Sequence, residues 1–441
     1  MHFEQGILHI GGLAVTALIE EHGSPLYVYD AAVIRRQAQN LLAAFSDLPF
    51  HPFYAVKAND NLEILKLIRE HGFGCDVVSP GEIFLAMHAG FAGDSIWFTC
   101  SNVSDDDLLS LSDPKIVINV NGMSEIDRCI RLQLPNPIAL RVNPEVGAGH
   151  HRDVVTAGYG VKFGLDLAEI EDARGVAEAG GMRVVGLHAH IGSGVEDLDP
   201  LLNSARILLE LSDAFHDLGW MNFGGGIAVP YKPGEREFPL REYGQRLGDI
   251  VGARLIERGM RAILEPGRYL VAPSGVLLTR VTSKRISAGH EWVGCDTGFN
   301  HLVRPSRYSS YHHIVNATRG VDADLRERFD ASTGGYDELI VAGNLCESGD
   351  VFTRDQDGPR PRLIRPTRTG DILAFCDTGA YGFSMASHYN ARLLPAEILV
   401  EEKTSRIIRR RQVYEDLLRG QTTGAGQEVP MRPEYRRELF V

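Results

Sequence analysis

Between residues 50 and 270 the chain alternates eight times between a short apolar run and a stretch with helical spacing. The apolar runs cover 52–56, 74–79, 96–100, 116–120, 137–142, 184–191, 221–225 and 261–265. The stretch 61–71 carries Leu62, Ile64, Leu65, Leu67 and Ile68 at mixed three- and four-residue spacings, which is an apolar helical face, and 201–218 behaves likewise. Eight β-then-α units predict a (β/α)8 barrel of the TIM type over residues 30–275. After about residue 275 the texture changes. Short strand-like runs at 275–286, 291–297, 338–342, 371–376 and 396–400 are separated by turn-rich segments without regular helices. They predict a C-terminal β-rich domain, a barrel or sandwich, over 276–415, which the strand-like residues 1–29 join. A Gly- and Thr-rich stretch at 420–430 makes 416–441 a tail. A chain of 441 residues is too long for one ordinary core, so two domains are the expectation on length as well.

Charge narrows the partners. The formal net charge of −13 argues against nucleic acid or an anionic membrane surface, since both need a basic face. The run Arg409-Arg410-Arg411 lies between apolar residues and reads as the solvated face of a terminal element. No apolar run approaches the ~20 residues of a membrane span, and Met1 to Gly12 lacks the pattern of a signal peptide. Six scattered cysteines form no CxxC pair and no zinc-like spacing with histidines, so no metal site is expected. Free thiols suit a reducing cytoplasm.

In a barrel of this kind function sits at the C-terminal ends of the strands. The first strand runs through Pro52-Phe53-Tyr54-Ala55-Val56 into Lys57. A lysine is rarely buried unless it is paired or used, and desolvation favours its nucleophilic amine form. Asp76, Ser79 and Glu82 follow the second strand, Arg141 and Asn143 the fifth, and His188-Ala189-His190-Ile191-Gly192-Ser193-Gly194 the sixth. Gly224-Gly225-Gly226 follows the seventh and Glu265-Pro266-Gly267-Arg268-Tyr269 the eighth. Each has a plainer reading: a lysine head in water, a tight turn, a surface ion pair between Glu265 and Arg268. The histidine pair suggests half a metal site, but no third ligand is evident. Taken together they suit one ligand. A Gly-rich turn brings backbone N–H groups to a phosphate, and Arg268 adds charge. A carboxylate such as Glu265 can keep a pyridine nitrogen protonated, and a flat imidazole such as His190 can stack on an aromatic ring. With the lysine, these features describe a site for pyridoxal 5′-phosphate. The β-rich part adds Asn344-Leu345-Cys346-Glu347-Ser348-Gly349-Asp350, where Cys346 stands among polar residues, and Asp377-Thr378-Gly379-Ala380-Tyr381-Gly382.

Over roughly residues 25–415 these separated motifs, in this order, resemble the fold-type III pyridoxal-phosphate-dependent decarboxylases. The resemblance implies a cofactor-binding barrel, a C-terminal β-domain, and a homodimer whose two active sites are each completed by the partner's β-domain. It implies that Lys57 is the Schiff-base lysine, that Asp76 lies at the cofactor, that His190 stacks on its ring, and that Ser193, Gly225 and Gly226 hold its phosphate. Glu265 would hold the pyridine nitrogen, and Arg268 a substrate carboxylate or the phosphate region. Cys346 would be the proton donor, Glu347 would bind a distal amine, and Tyr381 would contact cofactor and substrate. Arg304 and Tyr308 match a pair that grips a distal carboxylate. The activity implied is decarboxylation of meso-2,6-diaminopimelate to L-lysine and CO2, the last step of lysine biosynthesis, with D-lysine, D-ornithine or another diamino acid as the alternative substrate. A carboxylate at the pyridine nitrogen favours decarboxylation; barrel relatives that racemise alanine place an arginine there. The chain departs from the family pattern at Ser387-His388-Tyr389-Asn390, over residues 150–158, and at Val161.

Overall fold

The computed structural model describes residues 1–99, 101–149, 151, 155–325 and 335–423. Cys100, His150, residues 152–154 of the divergent loop and the tail from 424 onward lie outside the described residues. The chain divides into two compact units. One comprises Ala32–Pro230 and Glu235–Pro273; the other comprises Met1–Ala31, Tyr231–Gly234 and the chain from Ser274 onward.

The chain opens with an antiparallel meander of β1 (His2–Glu4), β2 (Ile7–Ile10) and β3 (Leu13–Ala14), followed by α1 (Val15–His22) and β4 (Leu26–Asp30). The α1 segment corrects the expectation of strands throughout this region. Its buried residues are Val15, Leu18 and Ile19, at three- and four-residue spacing, so they form one helical stripe where a strand would split them between two faces.

After α2 (Ala31–Ala44) come the barrel strands: β5 (Phe53–Ala55), β6 (Gly74–Val77), β7 (Ile96–Thr99), β8 (Val117–Val120), β9 (Ile138–Arg141), β10 (Val184–His188), β11 (Trp220–Asn222) and β12 (Arg261–Ile263). All eight expected strands are present, and each pairs in parallel with the next. The ring closes where His51 N–H donates to Ala262 O at 2.9 Å and Phe53 N–H to Leu264 O at 2.8 Å. Between and after the strands stand α3 (Leu62–Glu70), α4 (Pro80–His88), α5 (Asp105–Leu109), α6 (Met123–Arg131), α7 (Ile170–Ala179), α8 (Leu198–Ser212), α9 (Leu240–Glu257) and the single turn α10 (Arg268–Val271). Their starts follow from local chemistry. The Asn61 side chain caps α3 by accepting from Glu63 N–H, and Ser79 caps α4 ahead of Pro80, whose missing N–H costs nothing in a first turn.

The barrel floor is apolar and aromatic. Phe53, Trp97, Val117, Ala139 and Ile263 are buried together, with Val185 and Trp220 against them. The Phe53 and Trp97 ring centres lie 5.8 Å apart and those of Trp97 and Trp220 6.2 Å apart, both edge to face. Two glycines make room for these rings. A Cβ on Gly74 would come within 2.7 Å of Phe53, and one on Gly186 within 3.1 Å of Trp97.

The second unit is built on a sheet in which β4 is a central strand. Its later elements are β13 (Gly275–Ser287), β14 (His290–Cys295), α11 (Arg304–Tyr308), β15 (Ile314–Asn316), β16 (Asp337–Ala342), β17 (Arg354–Asp355), β18 (Gly358–Pro359), β19 (Arg362–Ile364), β20 (Ile372–Phe375), β21 (Ala396–Glu401) and β22 (Thr404–Arg409). Strand β4 is buried along its whole length, antiparallel to β13 and parallel to β21. Arg409 and Arg410 of the arginine run are exposed, as a solvated face would be, and all three arginines have partners. Arg409 reaches the buried Glu397, Arg410 donates to Asp416 at 2.6 Å, and Arg411 donates to Pro25 O at 2.6 Å. Among the described residues no helix is long and apolar enough to cross a membrane.

Replacing Trp97 by Ala removes the largest fully buried side chain, at the centre of the floor. The expected loss is about 3–5 kcal/mol of barrel stability. Urea unfolding followed by circular dichroism checks it; a loss below about 1 kcal/mol would show that the floor can collapse around the hole.

Candidate active site at the strand ends

Side chains alternate along a strand, so a residue two positions beyond an inward-facing one also faces inward, one layer higher. That rule builds the site. Above the floor, Gly74 is followed by Asp76, Trp97 by Thr99, Val117 by Asn119, Ala139 by Arg141, Gly186 by His188, Trp220 by Asn222 and Ile263 by Glu265. All seven polar residues are buried. On the remaining strand, β5, the position two beyond Phe53 is Ala55, and the polar group is Lys57, two residues further on. It lies just past β5 in a single turn of 3-10 helix, and its side chain is 37% exposed. The ladder ends earlier than the apolar runs suggested: β5, β10, β11 and β12 stop short of Lys57, His190, Gly225 and Glu265, which stand on the loops that leave them.

Several of these groups bond one another. Lys57 Nζ donates to Asp76 Oδ2 at 3.2 Å, and Thr99 donates to Asp76 Oδ1 at 2.6 Å. His188 Nε2 lies 3.1 Å from Glu265 Oε2, and Asn222 donates its amide to Glu265 Oε1 while its own oxygen accepts from Gly224 N–H at 2.9 Å. The surface ion pair between Glu265 and Arg268 therefore does not form. Both are buried, and Arg268 donates instead to Ser193 Oγ at 2.8 Å. Arg141 stacks its guanidinium 4.4 Å from the centre of the Phe163 ring and donates to Asn121 Oδ1 at 3.3 Å.

Electrostatics separate the two buried acids. Burial and the nearby Glu265 push the Asp76 carboxyl up, against the pull of Lys57 and Thr99. Burial also pushes Glu265 up, but the His188 charge and hydrogen bond, with Lys57 and Asn222, outweigh it and hold Glu265 at about 2. The surroundings thus favour the ionised form at Glu265 more than at Asp76. For His190, burial and the Lys57 and Arg141 cations push the imidazole well below its ordinary range. Gly225 N–H donates to His190 Nδ1 at 3.2 Å, so the neutral ring carries its proton on Nε2. Glu82 accepts from Val78 N–H at 2.8 Å; burial raises it to about 7 against that bond and Lys57.

The glycine turn is a cradle that tolerates no side chain. Gly224 and Gly226 have φ of +69° and +97°, and a Cβ on Gly225 would lie 2.3 Å from Glu265 O and one on Gly226 2.6 Å from Gly192 O. A backbone held this close, beside Ser193 and Arg268, suits a phosphate. An ionised buried carboxylate, a neutral imidazole and a lysine at the same strand ends suit a phosphorylated pyridine aldehyde. The residues present fit pyridoxal 5′-phosphate.

The second unit carries the other candidates. Cys346 and Glu347 are exposed on a loop pinned from beneath by buried Asp350, which accepts from Phe299 N–H at 2.7 Å and Leu345 N–H at 2.8 Å. Cys346 N–H donates to Asn390 Oδ1 at 2.8 Å, and Glu347 accepts a hydrogen bond from Tyr389. Ser306 Oγ donates to Gly349 O at 2.6 Å and ties this loop to α11, the helix of Arg304 and Tyr308. Arg304 is 2% exposed, meets His312 Nε2 at 2.8 Å, and lies 4.7 Å from the centre of the Tyr231 ring. His312 Nδ1 is 2.9 Å from Cys376 O, so the ring donates there and accepts from Arg304. Tyr381 is half-buried, with φ of +57°. The divergent His388 is exposed and bonds Gln412 at 2.7 Å. The sequence reading missed Thr99, Asn119 and Asn222, which counting two residues beyond each inward-facing floor position would have found. It also missed His312, which no strand-end pattern marks.

Fold and strand-end set together define the class of pyridoxal-dependent decarboxylases. The family model described as "Pyridoxal-dependent decarboxylase, pyridoxal binding domain" matches residues 31–272. The diaminopimelate decarboxylase of Methanothermobacter thermautotrophicus is 40% identical over 436 residues, 96% of this chain and 97% of that protein. The crystal structure of diaminopimelate decarboxylase from M. jannaschii in co-complex with L-lysine superposes with a TM-score of 0.84 at 30% identity, covering 96% of this chain and 97% of that one. The enzyme from Helicobacter pylori, also complexed with L-lysine, gives 0.81 at 32% identity over 92% and 98%. The chain belongs to the diaminopimelate decarboxylases within the pyridoxal-dependent decarboxylase family.

The raised Glu82 makes a prediction about stability. The unfolded chain loses this proton near the ordinary 4.5 and the folded one near 7, so across that window the folded state binds more protons and stability falls as pH rises. Glu82→Gln keeps an acceptor for Val78 N–H and removes the effect. Its melting temperature should exceed that of the wild type at pH 8, and the gap should close below pH 4.5. A pH-independent difference would contradict this.

Proposed function

We propose that this chain decarboxylates meso-2,6-diaminopimelate to L-lysine and CO2 with pyridoxal 5′-phosphate as cofactor. The observation that carries the reading is Glu265, buried at the strand ends and held by His188 and Asn222. The bound cofactor supplies an electron sink for the charge left on the α-carbon when CO2 departs. Glu265 would hold a proton at the ring nitrogen and so deepen that sink. Lys57 would anchor the cofactor, with Asp76 fixing its amine, and neutral His190 would lie against the ring. Gly225, Gly226, Ser193 and Arg268 would hold the phosphate. Cys346 would deliver the proton to the α-carbon, and Tyr381 would contact cofactor and substrate.

The far end of the substrate is an amino acid too, and it needs a cation and an anion. Arg304 with Tyr308, and Arg268 near the phosphate, would take the distal carboxylate, and Glu347 the distal amine. His312 and Tyr231 fix the Arg304 side chain in advance, so little rotamer freedom is lost on binding. Cys346 and Glu347 are exposed on their loop, as residues offered to a second subunit would be. The reading therefore includes a cytoplasmic homodimer in which the β-domain, 1–29 with 276–415, completes the partner's 30–275 barrel.

Product analysis of purified, cofactor-loaded protein tests the activity. L-lysine and CO2 from meso-diaminopimelate, with D-lysine and D-ornithine untouched, is the expected result. Cadaverine or putrescine from the latter two, without turnover of the first, would overturn it. The shared site has its own test. Lys57→Ala and Cys346→Ala homodimers should each be inactive. After dissociation and random remixing, half the dimers are hybrids with one intact site of two, so about a quarter of the activity should return. No recovery would place both residues of a site on one chain.

A further inference from the structure

We propose that His2, Glu4 and His9 form a surface binding site for a first-row divalent cation such as Zn2+. The site is independent of the decarboxylase reading. No pattern in the linear sequence marks it, because the hairpin register assembles it. His2 stands directly opposite His9, and Glu4 follows two residues along β1 on the same face. The alternate residues fasten the hairpin down. Phe3 fills the space over Gly320, and its N–H donates to Asp322 at 2.6 Å; Leu8 is fully buried, and its N–H donates to Ala317 O at 2.8 Å. Period-two alternation then turns His2, Glu4 and His9 outward together.

The three potential ligand atoms all lie within 4.8 Å of one another, and His9 Nε2 is 3.8 Å from Glu4 Oε2. Two ligands on a tetrahedral ion with bonds of ~2.0–2.1 Å sit about 3.4 Å apart, so exposed side chains need only small rotations to close on it. The second nitrogen of His9 is already committed. Nδ1 lies 3.1 Å from Ile7 O, a carbonyl that can only accept, so Nδ1 carries a proton. In the neutral ring Nε2 is then a bare lone pair facing a carboxylate oxygen: two acceptors with a cation-sized gap between them. A backbone carbonyl that orients a histidine in this way is the usual outer support of a metal-bound imidazole. Two imidazoles and one carboxylate suit a cation of intermediate softness. The competing occupant is a proton, which would make His9 and Glu4 a simple ion pair.

Calorimetric titration of ZnCl2 into chelator-stripped, cofactor-loaded full-length protein separates the two. The proposal expects one saturable equivalent per chain. It expects affinity to fall about tenfold or more in each of His2→Ala, Glu4→Gln and His9→Ala, while decarboxylation and metal-free melting temperature stay at wild-type values. Equal Zn2+ affinity in all four proteins, or weakening by Cys346→Ser in their place, would assign the ion to other donors and overturn the site. Absence of saturable binding in the wild type would leave the ion pair as the whole explanation.

Discussion

A carboxylate kept charged inside a protein is the constraint on which the rest of this barrel turns. Isolated, a buried Glu265 would take up a proton. It does not, because an imidazole, an amide and a lysine from three other strand ends surround it. Two of those partners are held in turn: Asn222 by the backbone of the glycine turn, and Lys57 by Asp76, which Thr99 holds. Moving one strand by one residue would turn its polar member outward and leave its partners unsatisfied. The chemistry and the strand register are one requirement.

The floor explains why such a polar layer is tolerable. Phe53, Trp97 and Trp220 seal the barrel beneath it, so polar groups face only the end where a ligand enters. Apolar burial stabilises the ring, and hydrogen bonding among Asp76, Thr99, Asn119, His188, Asn222 and Glu265 limits what the upper layer costs. The glycine turn belongs to the same economy of space. Its backbone passes so near Glu265 and Gly192 that a Cβ on Gly225 or Gly226 would collide with them.

Much of this was visible in the sequence, for physical reasons. Buried parallel strands are apolar through their length, so all eight were legible, as was Lys57 at the foot of the first run. Glycine, histidine and carboxylate motifs at loop starts marked the phosphate cradle and Glu265. Thr99, Asn119 and Asn222 were not legible, because an isolated polar residue inside an apolar run looks like noise until its inward neighbour is known. The helix Val15–His22 was hidden by a short β-like context, and its packing against the buried faces of β2 and β4 decided the matter. The exposure of the arginine run was legible, but its partners, Glu397, Asp416 and Pro25 O, were not, because tertiary structure sets them.

Strand β4 has a consequence for how the molecule is made. It leaves the ribosome before the barrel does, yet its two sheet neighbours are β13 and β21, which follow the barrel. The barrel segment can close on itself as soon as Pro273 has emerged. The stretch Leu-Tyr-Val-Tyr-Asp must wait, apolar and with both edges open, until residues near 400 are synthesised. Nascent chains stalled between these points should be the species most dependent on chaperones.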